Sequence, residues 1–267
     1  MNYISRIGLD FNPFVKNSKE ILTKTEEYKE VDFRLNILLE TRGFGILTGT
    51  AGKGKTTIIR NWSKSLNPSQ YRVIYISLST LTVLDFYKHL AIELGLEPAF
   101  RKSSNFRMIQ GAITRLVVEK RITPVIILDE ANYINSAILN DLKILFNFEM
   151  DSKDRAIVLM VGLPQLNNTL NLSAHEPLRQ RITMSYHLKG LNKNEAKHYI
   201  LEKLKGAGCH ADIFDEGALE ALTNSASGVP RMINKLCDKS LLISHASEST
   251  RITTDVVIKA ISESEVG

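Results

Sequence analysis

The sequence is poor in cysteine and contains no long apolar run. Its 267 residues include two cysteines, Cys209 and Cys237, which lack partners at metal-ligand spacing. We therefore expect two buried thiols rather than a metal site or a disulfide. No apolar run approaches the length of a membrane span, and residues 1–6 carry no apolar signal segment. These absences exclude a disulfide scaffold and membrane insertion, and they predict a cytoplasmic location.

The composition is that of a globular protein with a moderate basic excess. Hydrophobic residues make up 43% of the chain, enough for the core of one large domain and a second small one. The formal net charge is +5. Such a charge is compatible with nucleic-acid contact but does not require it.

One segment carries a specific chemical signal. Residues 49–56 fit the pattern G-x-x-x-x-G-K-[ST] and lie between an apolar strand, 44–48, and a predicted helix. Glycines in such a loop let consecutive backbone N–H groups face a phosphate. The pattern predicts that ATP and Mg²⁺ are cofactors; a glycine-rich turn matching by chance is the alternative. The predicted cofactor-binding residues here are Gly49, Thr50, Ala51, Gly52, Lys53, Gly54, Lys55, Thr56 and Thr57.

Two side chains of this loop have distinct predicted roles. Lys55 places a cation on the β and γ phosphates and so takes part in catalysis, whereas the Thr56 hydroxyl binds Mg²⁺. The helix that follows points its positive N-terminal end at the same anion.

A second segment ends in two acids. Residues 125–130 read Val-Ile-Ile-Leu-Asp-Glu, a β-branched run typical of a strand buried in a parallel sheet. Ligands of open α/β sheets bind at the carboxyl ends of the strands. We therefore predict that Asp129 holds Mg²⁺ through water and that the catalytic Glu130 polarises the attacking water. Taken alone, the two acids also fit a solvated strand end.

The order of elements predicts the fold class. Five strand-like runs, most of them separated by helical patterns, indicate an α/β fold with a five-stranded parallel sheet; they are 44–48, 73–78, 125–129, 156–161 and 183–188. From residue 191 the pattern is helical and begins with a capping box, Asn192 with Glu195. We predict an N-terminal arm and first helix (1–33), a nucleotide-binding domain (34–189) and a four-helix lid (190–267). The arm carries Asn12, Pro13 and Phe14, which we expect at the nucleotide.

Together these motifs resemble an AAA+ ATPase, a P-loop NTPase, of the ExeA and TnsC group. Residues 7–14 are similar to the group's "GL…NPF" opening, and 129–132 to its Walker B segment. Residues 161–166 resemble its "GQPEL", 178–182 its "LRQRI" and 228–237 its lid signature "G.PR.IN.LC". The resemblance covers nearly the whole chain.

The resemblance implies catalytic roles for three arginines. Either Arg179 or Arg181 acts as a finger that reaches the ATP of a neighbouring subunit; the alternative is that both bond within their own subunit. Arg231 matches the sensor-two arginine at the γ-phosphate, with a structural ion pair as the alternative. Leu163 departs from the pattern, since the group often has a polar residue there. Gln165 is therefore either a γ-phosphate sensor or a solvated amide.

The resemblance leaves two functions open, because both occur within the group. ExeA-like secretion proteins carry further segments after the ATPase that this sequence lacks, so we expect a TnsC-type regulator of DNA transposition. Such a protein self-associates on duplex DNA and recruits a transposase. The alternative is an ATPase switch acting on a secretion or membrane partner; a metabolic kinase fits less well. The predicted DNA-binding residues are Arg101, Lys102, Arg107, Arg115, Lys120 and Arg121, and a solvated helix face is their alternative.

Overall fold

The computed structural model describes residues 3–77 and 80–265, and it confirms the predicted fold class. All five strands lie parallel in one sheet of order β2-β3-β4-β1-β5. The strands are β1 (Gly43–Gly49), β2 (Tyr71–Ile76), β3 (Thr123–Leu128), β4 (Ile157–Gly162) and β5 (Ile182–Leu188). Leu78, the predicted end of the second strand, lies outside the described residues.

Helices connect the strands and form the C-terminal region. They are α1 (Tyr3–Arg6), α2 (Glu26–Thr41), α3 (Lys55–Ser65), α4 (Val83–Glu93), α5 (Lys102–Val118), α6 (Ser136–Leu145), α7 (Gln165–Leu170), α8 (Glu176–Arg179), α9 (Lys193–Gly206), α10 (Glu216–Ala226), α11 (Pro230–Ala246) and α12 (Thr254–Glu265). Short 3₁₀ turns cover Ala131–Tyr133, Glu149–Asp151 and Ser173–His175. Within the described residues, no helix is long and apolar enough to cross a membrane.

Burial distinguishes the three inner strands of the sheet from the edge strand β5. Every residue of β1, β3 and β4 is buried, as expected for inner strands covered on both faces. The edge strand β5 alternates between buried and accessible positions. The two predicted site acids, Asp129 and Glu130, follow directly after the inner strand β3.

The chain divides into two compact units. The sheet unit comprises Glu30–Ala51 and Lys55–Leu188. The helical unit comprises the residues before Glu30, the loop Gly52–Gly54 and the residues from Lys189 onward. In this division the residues before Glu30 group with the helical unit, and the predicted domain boundaries at 33/34 and 189/190 stay predictions.

The helical unit contains the four predicted C-terminal helices. Helix α9 begins with the predicted capping box, in which the Asn192 side chain accepts from the Glu195 N–H and the Glu195 side chain accepts from the Asn192 N–H. Its core includes Leu9 and Phe14 of the arm together with residues of α9 to α12. Both cysteines are buried free thiols, as predicted. Burial raises the pKa of the Cys237 thiol.

Candidate nucleotide-binding site

The phosphate loop has the backbone shape that its sequence predicts. Gly52 and Gly54 have φ angles of +81° and +93°, which side chains rarely tolerate. Lys55 begins α3, is only 7% exposed and donates to the carbonyls of Gly49 (2.7 Å) and Thr50 (3.2 Å). Two carbonyls of the sheet unit thus hold the Lys55 ammonium in place.

The first acid of the Walker B segment lies beside the phosphate loop within the sheet unit. The Thr56 hydroxyl donates to Asp129 Oδ2 at 3.1 Å, and the Glu130 backbone N–H donates to Asp129 Oδ1 at 2.9 Å. Hydroxyl and carboxylate oxygens are ligands that Mg²⁺ prefers. The donor set formed by Thr56 and Asp129 therefore fits the predicted metal.

A third group on Asp129 was not predicted. Tyr75, in the neighbouring strand β2, donates its hydroxyl to Asp129 Oδ2 at 2.7 Å. Burial of the phenol, followed by the hydrogen bond to Asp129, raises the pKa of Tyr75. The tyrosine consequently stays protonated and remains a donor. Its sequence context, an aromatic residue within a strand, gave no signal for this contact.

The second acid has an unusual backbone conformation. Glu130 has φ +51° and ψ +37°, the left-handed region, although it is not glycine. It is exposed and precedes the 3₁₀ turn Ala131–Tyr133. Strained backbone of this kind concentrates at functional sites. The turn directs the chain away from the strand immediately after the two acids.

The end of β4 is tied to the Walker B segment by an asparagine. Asn132 Oδ1 accepts from the Leu163 N–H at 2.9 Å. A Cβ on Gly162 would lie 2.7 Å from the same oxygen, so this position requires glycine. Gln165, the predicted alternative sensor, begins α7 and is exposed. Its role as a sensor stays a prediction.

A polar network that the sequence did not predict lies at the end of β1. The buried Thr48 hydroxyl is 3.1 Å from His187 Nδ1 and accepts from Asn167 Nδ2 at 3.3 Å. These contacts connect β5 and α7 to the residue that precedes the phosphate loop. Polar groups buried there need such partners, because an unsatisfied one is costly.

Arg231 lies next to a phosphate-loop residue within the helical unit. Its backbone N–H donates to the Gly52 carbonyl at 3.3 Å. A Cβ on Gly52 would lie 2.8 Å from Arg231 Cβ and 3.0 Å from Val229 Cγ1. Glycine is therefore needed at position 52 for two reasons, the positive φ of the turn and the close approach of Arg231 and Val229. Contact of the Arg231 guanidinium with a phosphate stays a prediction.

The NPF residues of the arm are bonded within the helical unit. Asn12 donates to Asp238 at 2.6 Å and accepts from the Phe14 N–H at 2.9 Å. Lys203 donates to the Pro13 carbonyl at 2.7 Å, and burial lowers the pKa of Lys203. All three NPF residues are buried, which gives them a packing role. Contact of these three residues with a nucleotide stays a prediction.

The two candidate finger arginines differ in their surroundings. Arg181 donates to the Lys143 carbonyl at 2.8 Å and forms an ion pair with Asp151. Arg179 is exposed and donates through Nη1 to the carbonyls of Leu170 and Asn171. Both arginines thus have bonds within their own subunit, and Arg181 adds an ion pair to its hydrogen bond.

The predicted DNA-binding residues lie on and around α5. All six are exposed, but Lys102 is already engaged, because its ammonium is 2.6 Å from Asp141 Oδ2. Arg107 and Arg115 are two turns apart on the same side of α5. Arg101 precedes the helix, and Lys120 follows it.

Comparisons with known proteins identify the domain to which the phosphate-loop and Walker B segments belong. Residues 38–170 match the family model described as AAA domain. The chain is 32% identical over 257 residues to General secretion pathway protein A of Aeromonas hydrophila, with 94% of this chain and 46% of that protein aligned. The chain thus spans about half the length of that relative.

Solved structures share the fold at low identity. The ORC2 protein of Aeropyrum pernix superposes with a TM-score of 0.69 and 19% identity, covering 96% of this chain and 72% of that one. The ORC1 protein of the same organism, in complex with DNA, gives 0.65 and 15%, covering 94% and 68%. The chain therefore contains an AAA domain over residues 38–170 and has the α/β P-loop fold of AAA+ proteins. Among AAA+ proteins the chain is similar to General secretion pathway protein A, an ExeA-type protein, and TnsC-like character stays a prediction.

Proposed function

We propose that the chain is an ATP-driven switch that self-associates into a ring or helical oligomer on duplex DNA and regulates DNA transposition. The proposal of an ATP-driven switch rests on one observation, the cluster of Lys55, Thr56, Asp129 and Glu130 at one sheet edge. The proposal of a DNA contact rests on the exposed pair Arg107 and Arg115 on α5.

The site residues have separate roles in this proposal. Lys55 and the loop N–H groups bind the β and γ phosphates, and Glu130 orients the attacking water. Thr56 and Asp129 would hold Mg²⁺, which neutralises charge on the phosphates when bound. Arg231 contacts the γ-phosphate. An arginine from the neighbouring subunit completes the site, so nucleotide state and assembly depend on each other.

Three observations support duplex DNA as the partner. The chain has a formal net charge of +5, and exposed arginines of α5 are suited to phosphate contacts, which position a protein without reading bases. The DNA-bound ORC1 protein shares the fold. Self-association adds the weak contacts of several subunits. The transposition role further requires a transposase partner, and we expect its gene beside this one.

Duplex binding by the full chain tests the DNA proposal. We expect fluorescence anisotropy with a labelled duplex to show tighter binding with ATP than with ADP, little dependence on base sequence and a steep loss of affinity with salt. The double variant Arg107→Gln/Arg115→Gln should reduce the salt slope by about one for each arginine that pairs with a phosphate. Lys193→Gln/Lys205→Gln, an equal charge change on α9, is the control.

A second candidate is an ATPase switch acting on a secretion or membrane-associated protein. The 32% identity with General secretion pathway protein A favours it. The same anisotropy experiment separates the two candidates. Negligible duplex affinity at low salt with ATP, in a protein that still binds ATP, would overturn the DNA proposal and leave the secretion-type switch.

A further inference from the structure

The unpredicted tyrosine contacts the acid that we assign to the metal. Strands β2 and β3 are parallel, and Tyr75 pairs with Ile127, two residues before Asp129. From there the tyrosine side chain extends past the end of β3, and its hydroxyl donates to Asp129 Oδ2 at 2.7 Å. The contact therefore depends on the register of two neighbouring strands.

Asp129 needs donors because it is buried. Its side chain is 3% exposed, and a carboxylate removed from water is stable only with hydrogen-bond donors. Tyr75 and Thr56 both donate to Oδ2, while the Glu130 N–H donates to Oδ1. Thr56 is itself assigned to Mg²⁺, and the Glu130 donor is backbone. Tyr75 is thus a side-chain donor outside both nucleotide-binding motifs.

We propose that Tyr75 is a positioning residue that holds the Asp129 carboxylate in the orientation that binds Mg²⁺; the inference rests on the metal role proposed above for Asp129. The terminal torsion of an aspartate is broad, so its oxygens turn easily unless hydrogen bonds fix them. Hydrogen-bond partners of metal ligands commonly change metal affinity 10- to 100-fold when they are removed. In this role Tyr75 acts through Asp129.

The variant Tyr75→Phe removes the hydroxyl and keeps the ring. Because the side chain is 43% exposed, we expect this variant to fold. Binding of a fluorescent ADP analogue is measured in EDTA and across a Mg²⁺ titration. The affinity in EDTA should equal that of the wild type, whereas the Mg²⁺ concentration for the half-maximal change should rise about tenfold or more. Tyr71→Phe, on the same strand and face, is the control and should match the wild type.

Each contrary outcome has a distinct meaning. An unchanged Mg²⁺ midpoint in Tyr75→Phe would overturn the positioning role. An equal loss of affinity with and without Mg²⁺ would also overturn it, because it indicates general damage to the site. If the wild type itself showed no response to Mg²⁺, the metal role of Asp129 would fail, and this inference with it.

Discussion

At the scale of single residues, the proposed site assigns nucleotide binding and hydrolysis to different side chains. Lys55 is buried against the carbonyls of the phosphate loop, whereas Glu130 is exposed at the turn after β3. The Lys55 ammonium is held in place by hydrogen bonds to carbonyls, whereas Glu130 is an acid whose backbone lies in the left-handed region. Substituting them should therefore give different defects.

Lys55→Ala should abolish ATP binding. Truncating one partner of a buried charge pair costs about 2–5 kcal/mol, which corresponds to a loss of affinity of about two orders of magnitude or more. Fluorescent nucleotide titration measures the loss. Lys64→Ala, an exposed lysine in the last turn of the same helix, should bind as the wild type. Retention of micromolar binding by Lys55→Ala would contradict the assignment.

Glu130→Gln should bind ATP but fail to hydrolyse it. The amide keeps the shape of the side chain but cannot act as a base, and loss of a positioned base typically costs about 10²–10⁴ in rate. Nucleotide titration and single-turnover phosphate release measure the two properties separately. Turnover at the wild-type rate would show that another group orients the water. Glu119→Gln, at the end of α5, serves as the control.

At the scale of elements, the features that the sequence predicted well are formed by residues close together in the chain. The capping box of α9 was predicted because its two members are three residues apart, and the chain itself brings them together. The inner strands were predicted because burial on both faces requires continuous apolar runs. The phosphate loop was predicted because its glycines and lysine are consecutive.

What the sequence did not predict depends on contacts between distant segments. Tyr75 reaches Asp129 only through the register of β2 with β3. Lys102 is paired with an aspartate on α6, nearly forty residues away. The Arg181 bonds likewise involve a carbonyl at the end of α6. Sequence patterns identify a helix or strand, but they do not specify which side chains meet across two of them.

The α9 capping box makes a prediction about stability. Asn192→Ala should lower the free energy of unfolding by about 1 kcal/mol, because the Glu195 N–H loses its acceptor. Urea denaturation followed by circular dichroism measures the change. Asn194→Ala, an exposed position in the same turn, should be neutral. An equal effect from both variants would mean that the cap contributes nothing specific.

At the scale of the whole molecule, an ATPase site completed by a second subunit makes assembly depend on nucleotide. Interfaces of that kind are head to tail, so they close into rings or continue as helices. The two candidate arginines differ in what they already bind. Arg181 donates to the Lys143 carbonyl and is ion-paired with Asp151, whereas Arg179 is exposed at the end of α8 and donates to the carbonyls of Leu170 and Asn171. We therefore favour Arg179 as the residue that acts in the neighbouring site.

Mixing of inactive variants tests this assignment. We expect Arg179→Ala to bind ATP but to lack the arginine that acts in the neighbouring site. Lys55→Ala should keep that arginine but bind no ATP. Each should be inactive alone, and their mixture should regain part of the wild-type ATPase rate, because mixed interfaces contain one complete site. Arg181→Ala should instead lose thermal stability through its broken bonds to Lys143 and Asp151. Recovery with Arg181→Ala and none with Arg179→Ala would reverse the assignment, and no recovery with either, with assembly intact, would show that both arginines serve their own subunit.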